Sequence, residues 1–280
     1  MNAHCKPHES GGRLFTEWAE RVPDVNAGAD DGGYQERDVS TRDARDGRQP
    51  LADAVEVWRV ELDAIAAETV SALAQTLSAD ERGRGERFRF ERDRRNFVVT
   101  RGVLRSLLAQ HVESTPREIT FRYGPAGKPF VAEPAGGGGL YFNVTHSGNL
   151  TLIAITRAGE VGIDVEPVRS LPDWEGVADL VFDPKQVARL RSLAEPVRMP
   201  AFFEAWTRKE AIVKARGTGL GGSGHDTALV VSTFTFSPNW VASIAAPPGV
   251  RVLTCQGWDG SDRPTFRSFR LRAPDSAVSL

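Results

Sequence analysis

The segment WTRKEAIVKARGTGL, Trp206–Leu220, places the strongest constraint on how this chain folds. Helical spacing puts Trp206, Glu210 and Lys214 four residues apart on one helical face. A cation followed by Gly217 is typical of a helix end, because glycine readily adopts the left-handed conformation found there. The pattern therefore predicts a helix that ends near Gly217, with a carboxylate and an ammonium on the same side.

Glu210 and Lys214 admit two interpretations on this segment alone. A carboxylate can hold a metal ion or take a proton, and a lysine can neutralise phosphate charge. An ordinary Glu–Lys pair beside a core tryptophan is also common on helices and contributes only ~0.3–0.5 kcal/mol. The segment by itself favours the ordinary pair, so any functional interpretation needs support from elsewhere in the chain.

A second acidic pair lies in the segment GIDVEP. In an extended strand, Asp164 and Glu166 point to one face, and Ile163 and Val165 point to the other. Two adjacent carboxylates repel each other, and a divalent cation with oxygen ligands relieves that repulsion. Two carboxylates that face water at the end of a strand give the same pattern, so this pair alone does not decide the matter.

A third polar group lies in LYFNVTHSGNL, residues 140–150. Apolar residues lead into Asn143, Thr145, His146 and Ser147, which precede a Gly-Asn turn. Hydroxyl, imidazole and amide groups at the end of a strand are good donors to phosphate oxygens. A polar turn with an exposed histidine is the alternative interpretation.

The order of these segments is more specific than any one of them. NVTHS, GIDVEP and WTRKEAIVKARGTGL follow one another, and YGPAGKP, residues 123–129, precedes them. The chain resembles the 4′-phosphopantetheinyl transferases, specifically the larger surfactin-synthetase-activating (Sfp-type) group. That family carries an N-x-S/T-H-S block, a G-x-D-x-E block and a W/F-x-x-K-E-A/S-x-x-K block after a G-K-P turn. The resemblance extends over residues 55–236.

The resemblance implies a mixed α/β (α+β) fold. Such enzymes consist of two similar halves related by pseudo-twofold symmetry, each a small three-stranded sheet packed on a long helix, with coenzyme A in the cleft between them. We place the halves at residues 51–158 and 159–280. Residues 1–50 contain few apolar residues and are predicted to be a flexible N-terminal extension. The β-branched runs at 150–156 and 161–165 predict a hairpin or two adjacent strands.

The resemblance also implies an activity. The family transfers the 4′-phosphopantetheine group of coenzyme A to a serine of an apo acyl or peptidyl carrier protein, and adenosine 3′,5′-bisphosphate leaves. Matched by motif, Asp164, Glu166 and Glu210 would hold Mg²⁺ on the pyrophosphate. Glu210 would take the serine proton, and Lys214 would neutralise the α-phosphate. The enzyme class is therefore a transferase of the holo-[acyl-carrier-protein] synthase type.

Five further residues are implied to bind coenzyme A. Thr145 and His146 match the block that contacts the phosphates, with His146 on the 3′-phosphate of the nucleotide. Lys128 in the G-K-P turn and Arg82 after the S-x-D-E start would add positive charge around the adenosine phosphates. Arg84 matches a basic position of the family.

Composition agrees with these expectations. The chain has 280 residues, a formal net charge of −2, 40% hydrophobic residues and two cysteines. The balanced charge does not favour nucleic-acid binding, and no apolar run approaches the ~20 residues of a membrane helix. Two cysteines provide no disulfide framework. We therefore expect a cytoplasmic protein, a monomer by resemblance, that does not bind nucleic acid or membranes.

Two other functions use the same residues. A Mg²⁺-dependent pyrophosphohydrolase of coenzyme A or nucleotides would direct water, instead of serine, at the phosphorus. A non-catalytic module would bind carrier proteins without reaction, although such a module has no reason to retain Asp164, Glu166, Glu210 and Lys214 together. The broad-specificity form of the motif favours carriers of secondary metabolism, and polyketide, non-ribosomal peptide, siderophore and fatty-acid carriers all remain open.

Overall fold

The computed structural model describes residues 51–112, 114–132, 139–217, 228–237, 239–250, 252–258 and 265–270. The predicted flexible extension, residues 1–50, lies outside the described residues. The described residues form ten strands and six α-helices. In chain order the strands are β1 Ala54–Glu61, β2 Phe121–Tyr123, β3 Pro129–Val131, β4 Tyr141–Ser147, β5 Leu150–Thr156, β6 Gly162–Pro167, β7 Val230–Ser237, β8 Trp240–Ala246, β9 Val252–Trp258 and β10 Thr265–Arg270. The helices are α1 Ala67–Thr76, α2 Ala79–Gly85, α3 Glu91–His111, α4 Trp174–Val181, α5 Pro184–Ser192 and α6 Glu195–Arg216.

Two sheets carry most of the fold, and a third consists of β2 and β3 alone. The first large sheet has the strand order β10-β9-β1-β5-β4, and the second has the order β6-β8-β7. All pairs are antiparallel except β1 with β9, which is parallel. The prediction of three strands is correct for the second sheet and too small for the first, because β9 and β10 return from the end of the chain to extend it.

The two large sheets pack face to face through alternating apolar residues. Val55 and Val57 of β1 lie in one buried cluster with Ile163 and Val165 of β6. The other face of the first sheet packs against α1 and α3, and the outer face of the second sheet packs against α6. Each sheet therefore has one long helix on its outer side, which confirms the predicted mixed α/β fold.

Of the two arrangements predicted for residues 150–156 and 161–165, a hairpin or two adjacent strands, the hairpin is wrong. Both strands form, but β5 pairs with β1 and β4, whereas β6 pairs with β8 in the second sheet. Both hydrogen-bonding edges of β5 are already occupied, so β6 has no edge there to join. The apolar face of β6 instead covers the first sheet, and its polar face turns toward α6.

An ion cluster lies in the arginine-rich segment at residues 81–105. Arg105 is only 1% exposed, and its Nε donates to Glu81 Oε2 at 2.6 Å. Arg101 Nε donates to the other oxygen, Glu81 Oε1, at 2.6 Å. Glu81 also accepts from the backbone N–H of Ser78 in the capping box that begins α2. The cluster fixes α2 to α3. In the sequence, the buried charged residues of segment 81–105 look the same as the exposed ones.

Helix α6 lies unusually close to β6. A Cβ atom at Gly162 would be 2.0 Å from the carbonyl oxygen of Ala211 and 2.3 Å from the backbone nitrogen of Ala215. No side chain fits in this space, so glycine is required for the helix to rest on the strand. The helix itself, and its end at Gly217 in the left-handed region with φ of 63°, confirm the prediction for this segment.

We expect Gly162→Ala to destabilise the protein, because the added methyl group forces α6 away from β6. Overpacking of this kind costs about 1–3 kcal/mol or more. Thermal or urea unfolding measures the loss. Gly83→Ala is the matched control: a Cβ there meets nothing within 4 Å, and alanine stabilises a helix relative to glycine. Equal stability of Gly162→Ala and Gly83→Ala would contradict the close approach.

Candidate active site

Strands β4 and β6 and helix α6 bring a group of polar side chains together. Asn143, at the start of this arrangement, ties the two sheets to each other, because its Oδ1 accepts from the backbone N–H of Ile163 at 3.1 Å. Alternation along β4 then directs Thr145 and Ser147 to the same side as Asn143. The two strands thus present their polar faces side by side, although they belong to different sheets.

Asp164 is the centre of the group. It is 4% exposed, and its Oδ1 accepts from Lys214 Nζ at 2.6 Å and from Thr145 Oγ1 at 3.1 Å. Lys214 Nζ also donates to Thr145 Oγ1 at 3.1 Å, which closes a triangle of three side chains. The second oxygen, Asp164 Oδ2, is buried without a hydrogen-bond partner. One half of this carboxylate is therefore open to a further ligand.

Glu166 and Glu210 complete an acidic cluster with Asp164. Glu166 Oε2 accepts from Ser147 Oγ at 3.0 Å. Glu210 lies one helical turn before Lys214 on α6, as the sequence predicted. We call Asp164, Glu166 and Glu210 the acidic cluster. Asp164 and Glu166 lie on β6, and Glu210 lies on α6.

The three carboxyl groups all have pKa values above their ordinary range. Burial raises the pKa of Asp164, and the neighbouring Lys214 ammonium opposes the effect without cancelling it. Burial also raises the pKa of Glu166 and of Glu210, and the charge of Asp164 raises both further. Carboxylates that share a site repel one another, and the nearby cations do not fully compensate the negative charge of the ionised cluster.

The donor set of the acidic cluster suits a hard divalent cation. All three side chains offer oxygen, the ligand that Mg²⁺ prefers. Asp164 Oδ2 is buried and accepts no hydrogen bond, so its lone pairs are available to a cation. Within the described residues, no three His, Cys, Asp or Glu side chains already converge as a set of metal ligands. Lys214 is hydrogen-bonded to Asp164 Oδ1 instead, and it compensates part of the cluster's negative charge, to which Arg169 and Lys209 also contribute.

The residues predicted to bind the phosphates lie in several places, and among them Thr145 and Lys214 contact the acidic cluster. His146 is exposed and points from β4 to the side opposite Thr145. Arg82 donates to the carbonyl oxygen of Leu77, and the guanidinium of Arg84 lies 5.6 Å from the centre of the Phe97 ring. The phosphate contacts of these residues stay predictions.

The ammonium of Lys128 donates hydrogen bonds to three groups of the protein. Its Nζ donates to Glu160 Oε2 at 2.5 Å, to the carbonyl oxygen of Ala215 at 2.8 Å and to that of Val161 at 3.1 Å. Lys209, the other lysine of the helical motif, donates to the carbonyl oxygen of Val181 at the end of α4. Both lysines therefore connect other elements to α6.

A chain of hydrogen-bonded hydroxyl groups lies beneath α6, and the sequence did not predict it. Ser243 lies directly across from Asp164 in the pairing of β8 with β6. Its Oγ is 2.9 Å from Thr207 Oγ1 on α6 and 3.0 Å from Thr233 Oγ1 on β7. Thr207 stands three residues before Glu210, so its position on the helix face was visible in the sequence. Ser243 became recognisable only with the strand pairing.

Comparison with known proteins points to one family. Models described as "4'-phosphopantetheinyl transferase superfamily" and "4'-phosphopantetheinyl transferase, N-terminal" match residues 160–247 and 65–158. The protein named 4'-phosphopantetheinyl transferase HetI, from Nostoc sp., is 40% identical over 170 residues, which are 61% of this chain and 71% of the relative.

Two other relatives differ in how much of their length is matched. A putative 4'-phosphopantetheinyl transferase from Synechocystis sp., slr0495, is 38% identical over 146 residues, 52% of this chain and 59% of the relative. The 4'-phosphopantetheinyl transferase psf-1 from Bacillus pumilus is 26% identical over 218 residues, 69% of this chain and 91% of the relative. The chain therefore spans between about three fifths and nine tenths of these two proteins.

The raised pKa of Glu166 predicts how stability depends on pH. The folded protein retains the proton over a pH range in which the unfolded chain has already lost it, so wild-type stability falls as pH rises through that range. Glu166→Gln removes this loss and keeps an acceptor for Ser147. We therefore expect the variant to be more stable than wild type at neutral pH and equally stable below the ordinary carboxyl pKa.

Urea unfolding at a series of pH values, without divalent cations, measures this difference. Glu204→Gln changes an exposed glutamate on the same helix as Glu210 and serves as the control, with an unchanged pH profile. A Glu166→Gln protein less stable than wild type at neutral pH would show that Glu166 is not under electrostatic strain.

Proposed function

The chain belongs to the 4′-phosphopantetheinyl transferase family and is a transferase of the holo-[acyl-carrier-protein] synthase type, and we propose that it transfers 4′-phosphopantetheine from coenzyme A to a serine of an apo acyl or peptidyl carrier protein in a Mg²⁺-dependent reaction. The observation that carries this proposal is the acidic cluster with Lys214 bound to Asp164. Carboxylates for a cation and an ammonium for phosphate stand side by side, as phosphoryl chemistry requires.

Asp164, Glu166 and Glu210 are the residues that would hold Mg²⁺. A bound Mg²⁺ would supply charge stabilisation to the pyrophosphate of coenzyme A and relieve the repulsion among the three carboxylates. The unpartnered Asp164 Oδ2 supports this assignment, because a buried carboxylate oxygen without a partner is costly.

Glu210 is the residue we assign as the general base. Burial and the charge of Asp164 raise its pKa in the protein without a bound cation, which increases its affinity for a proton. The serine hydroxyl of the carrier gives its proton to Glu210, directly or through water, as its oxygen forms a bond to the β-phosphorus. The bond from that phosphorus to the bridging oxygen breaks, and adenosine 3′,5′-bisphosphate leaves with the electron pair.

Lys214 is the residue we assign to the charge that develops on the departing phosphate. Its side chain is partly exposed, so it would reach a ligand while Thr145 and Asp164 fix the position of the ammonium. Preorganised donors of this kind stabilise a transition state more than water does. Thr145, in contact with both, holds the ammonium in place. Its one hydroxyl proton is donated to Asp164 Oδ1, and it would bind a phosphate oxygen by turning that proton away from Asp164.

The remaining contacts of coenzyme A rest on the family motif. We assign His146 to the 3′-phosphate, which agrees with its exposed position, and Arg82 and Arg84 to the adenosine phosphates. Coenzyme A would lie between a half at residues 51–158 and a half at 159–280. We expect the enzyme to act as a cytoplasmic monomer on a carrier of secondary metabolism.

Intact-mass spectrometry of an apo carrier protein tests the reaction. Incubation with the wild-type protein, coenzyme A and Mg²⁺ should add one phosphopantetheine, and chelation of Mg²⁺ should prevent the addition. Glu210→Gln should bind coenzyme A and lower transfer at least about 100-fold, the usual contribution of a general base. Glu204→Gln, exposed on the same helix, should transfer normally.

Three outcomes would contradict these assignments. Wild-type turnover by Glu210→Gln would remove Glu210 from the base and metal roles. Release of phosphopantetheine without a carrier would indicate a pyrophosphohydrolase. Binding of a carrier without any gain of mass on several carriers would indicate a binding module.

Thermal unfolding with and without Mg²⁺ tests the metal ligands without reference to turnover. A ligand at 100 times its Kd stabilises a folded protein by about 2.7 kcal/mol, so the wild-type melting temperature should rise with Mg²⁺. Asp164→Asn should abolish this rise, because it removes the charge at the centre of the cluster. Asp179→Asn, an exposed residue paired with Arg191, should retain it. A full Mg²⁺ response in Asp164→Asn would exclude Asp164 as a ligand.

A further inference from the structure

Lys128 joins three parts of the chain that are distant in sequence. Its side chain is 17% exposed, and its Nζ contacts Glu160 Oε2, the Val161 carbonyl and the Ala215 carbonyl at 2.5, 3.1 and 2.8 Å. An ammonium has three N–H donors and no acceptor. All three donors of Lys128 are therefore used within the protein.

The contact with Ala215 lies at the end of α6. The last carbonyl groups of a helix have no partner within it, and they carry partial negative charge. Gly217 N–H donates to the Val213 carbonyl at 3.0 Å, and Lys128 donates to the Ala215 carbonyl from the side. A Cβ at Gly217 would be 3.2 Å from Lys128 Cδ, so the lysine stem also packs against this turn. Lys128 thus caps the helix that presents Lys214.

The contact with Val161 lies at the start of β6. Val161 precedes Gly162, the residue on which Ala211 and Ala215 rest, and it is three residues before Asp164. Lys128 therefore holds the last turn of α6 and the first residues of β6 at the same time. Asp164 follows the first anchored residue, Val161, by three positions, and Lys214 directly precedes the second, Ala215.

The loop that carries Lys128 is itself braced. Gly124 N–H donates to the Lys128 carbonyl at 2.9 Å, and Gly127 N–H donates to the Gly124 carbonyl at 2.9 Å. These bonds close the turn between β2 and β3, and Lys128 is the last residue of that turn, directly before Pro129 of β3. The lysine consequently extends from a fixed turn and not from a free loop.

We infer that the Lys128 side chain is a positioning group: it clamps the last turn of α6 onto the start of β6 and thereby sets Lys214 against Asp164, and its ammonium does not bind coenzyme A. The inference rests on the proposed transferase function. The motif-based assignment places the same ammonium on the adenosine phosphates, and the two roles predict different kinetics. A phosphate ligand contributes to the binding of coenzyme A, whereas a clamp contributes to the rate of transfer.

The experiment compares Lys128→Met with Lys128→Arg in steady-state transfer to a carrier protein. Two donors are used, coenzyme A and dephospho-coenzyme A, which lacks the 3′-phosphate. Loss of hydrogen bonds from a charged group should lower kcat for both donors about tenfold in Lys128→Met. The KM values, and their ratio between the donors, should stay at wild-type values. Lys128→Arg, which keeps several donors, should recover most of kcat.

Lys185→Met is the matched control, since Lys185 is exposed at the start of α5, and it should leave kcat and KM unchanged. Gly217→Ala disturbs the same clamp from the other side, because its φ of 63° strains an alanine and its Cβ meets the lysine stem. It should repeat the loss of kcat at constant KM, and it carries the test if Lys128→Met does not fold.

A raised KM for coenzyme A at unchanged kcat in Lys128→Met would overturn the inference and assign the ammonium to substrate. Unchanged kcat and KM would overturn it as well. Amide hydrogen exchange separates this inference from the transferase proposal. The last turn of α6 should exchange faster in Lys128→Met while α3 stays as in wild type, whether or not wild type transfers phosphopantetheine.

Discussion

The contact between Asp164 and Lys214 depends on the absence of a side chain at one residue of β6, Gly162. Gly162 has no side chain, so the backbone of α6 rests directly on the strand at Ala211 and Ala215. At that separation Lys214 reaches a carboxylate that is otherwise buried, at 2.6 Å. A larger residue would move the helix outward and leave Asp164 as an isolated buried charge, which is far more costly than a paired one.

The charge balance of the site follows from that packing. Burial and mutual repulsion raise the pKa values of all three carboxyl groups, and the one ammonium bonded to Asp164 compensates only part of the charge. The protein keeps this arrangement because the surrounding layers fix it: apolar residues of β6 hold the strand against the first sheet, and alanines hold the helix against the second. Without a cation, the three carboxylates of the acidic cluster repel one another. A cation can therefore bind strongly, because its binding relieves that repulsion.

The sequence predicted the local geometry of the site better than its surroundings. Periodicity alone placed Glu210 and Lys214 on one helical face and Asp164 and Glu166 on one strand face. It could not show that β5 and β6 belong to different sheets, since strand pairing depends on which edges are already occupied. It also could not separate buried Arg105 from the exposed arginines near it, or identify Ser243 opposite Asp164, because both depend on contacts distant in sequence. For Lys128, the motif predicted a contact with coenzyme A, and its partners within the protein became visible only in three dimensions.

The parallel pairing of β9 with β1 has a consequence for the growing chain. One edge of β1 pairs with β5, and the other edge pairs with β9, residues 252–258. Ala54 pairs with Val252, so the partner of this second edge is synthesised almost two hundred residues after β1. Until then the unpaired backbone groups of β1 form an open strand edge that can associate with other chains. Chain synthesis and sheet closure are therefore coupled, and a protein interrupted before β9 would present the same exposed edge permanently.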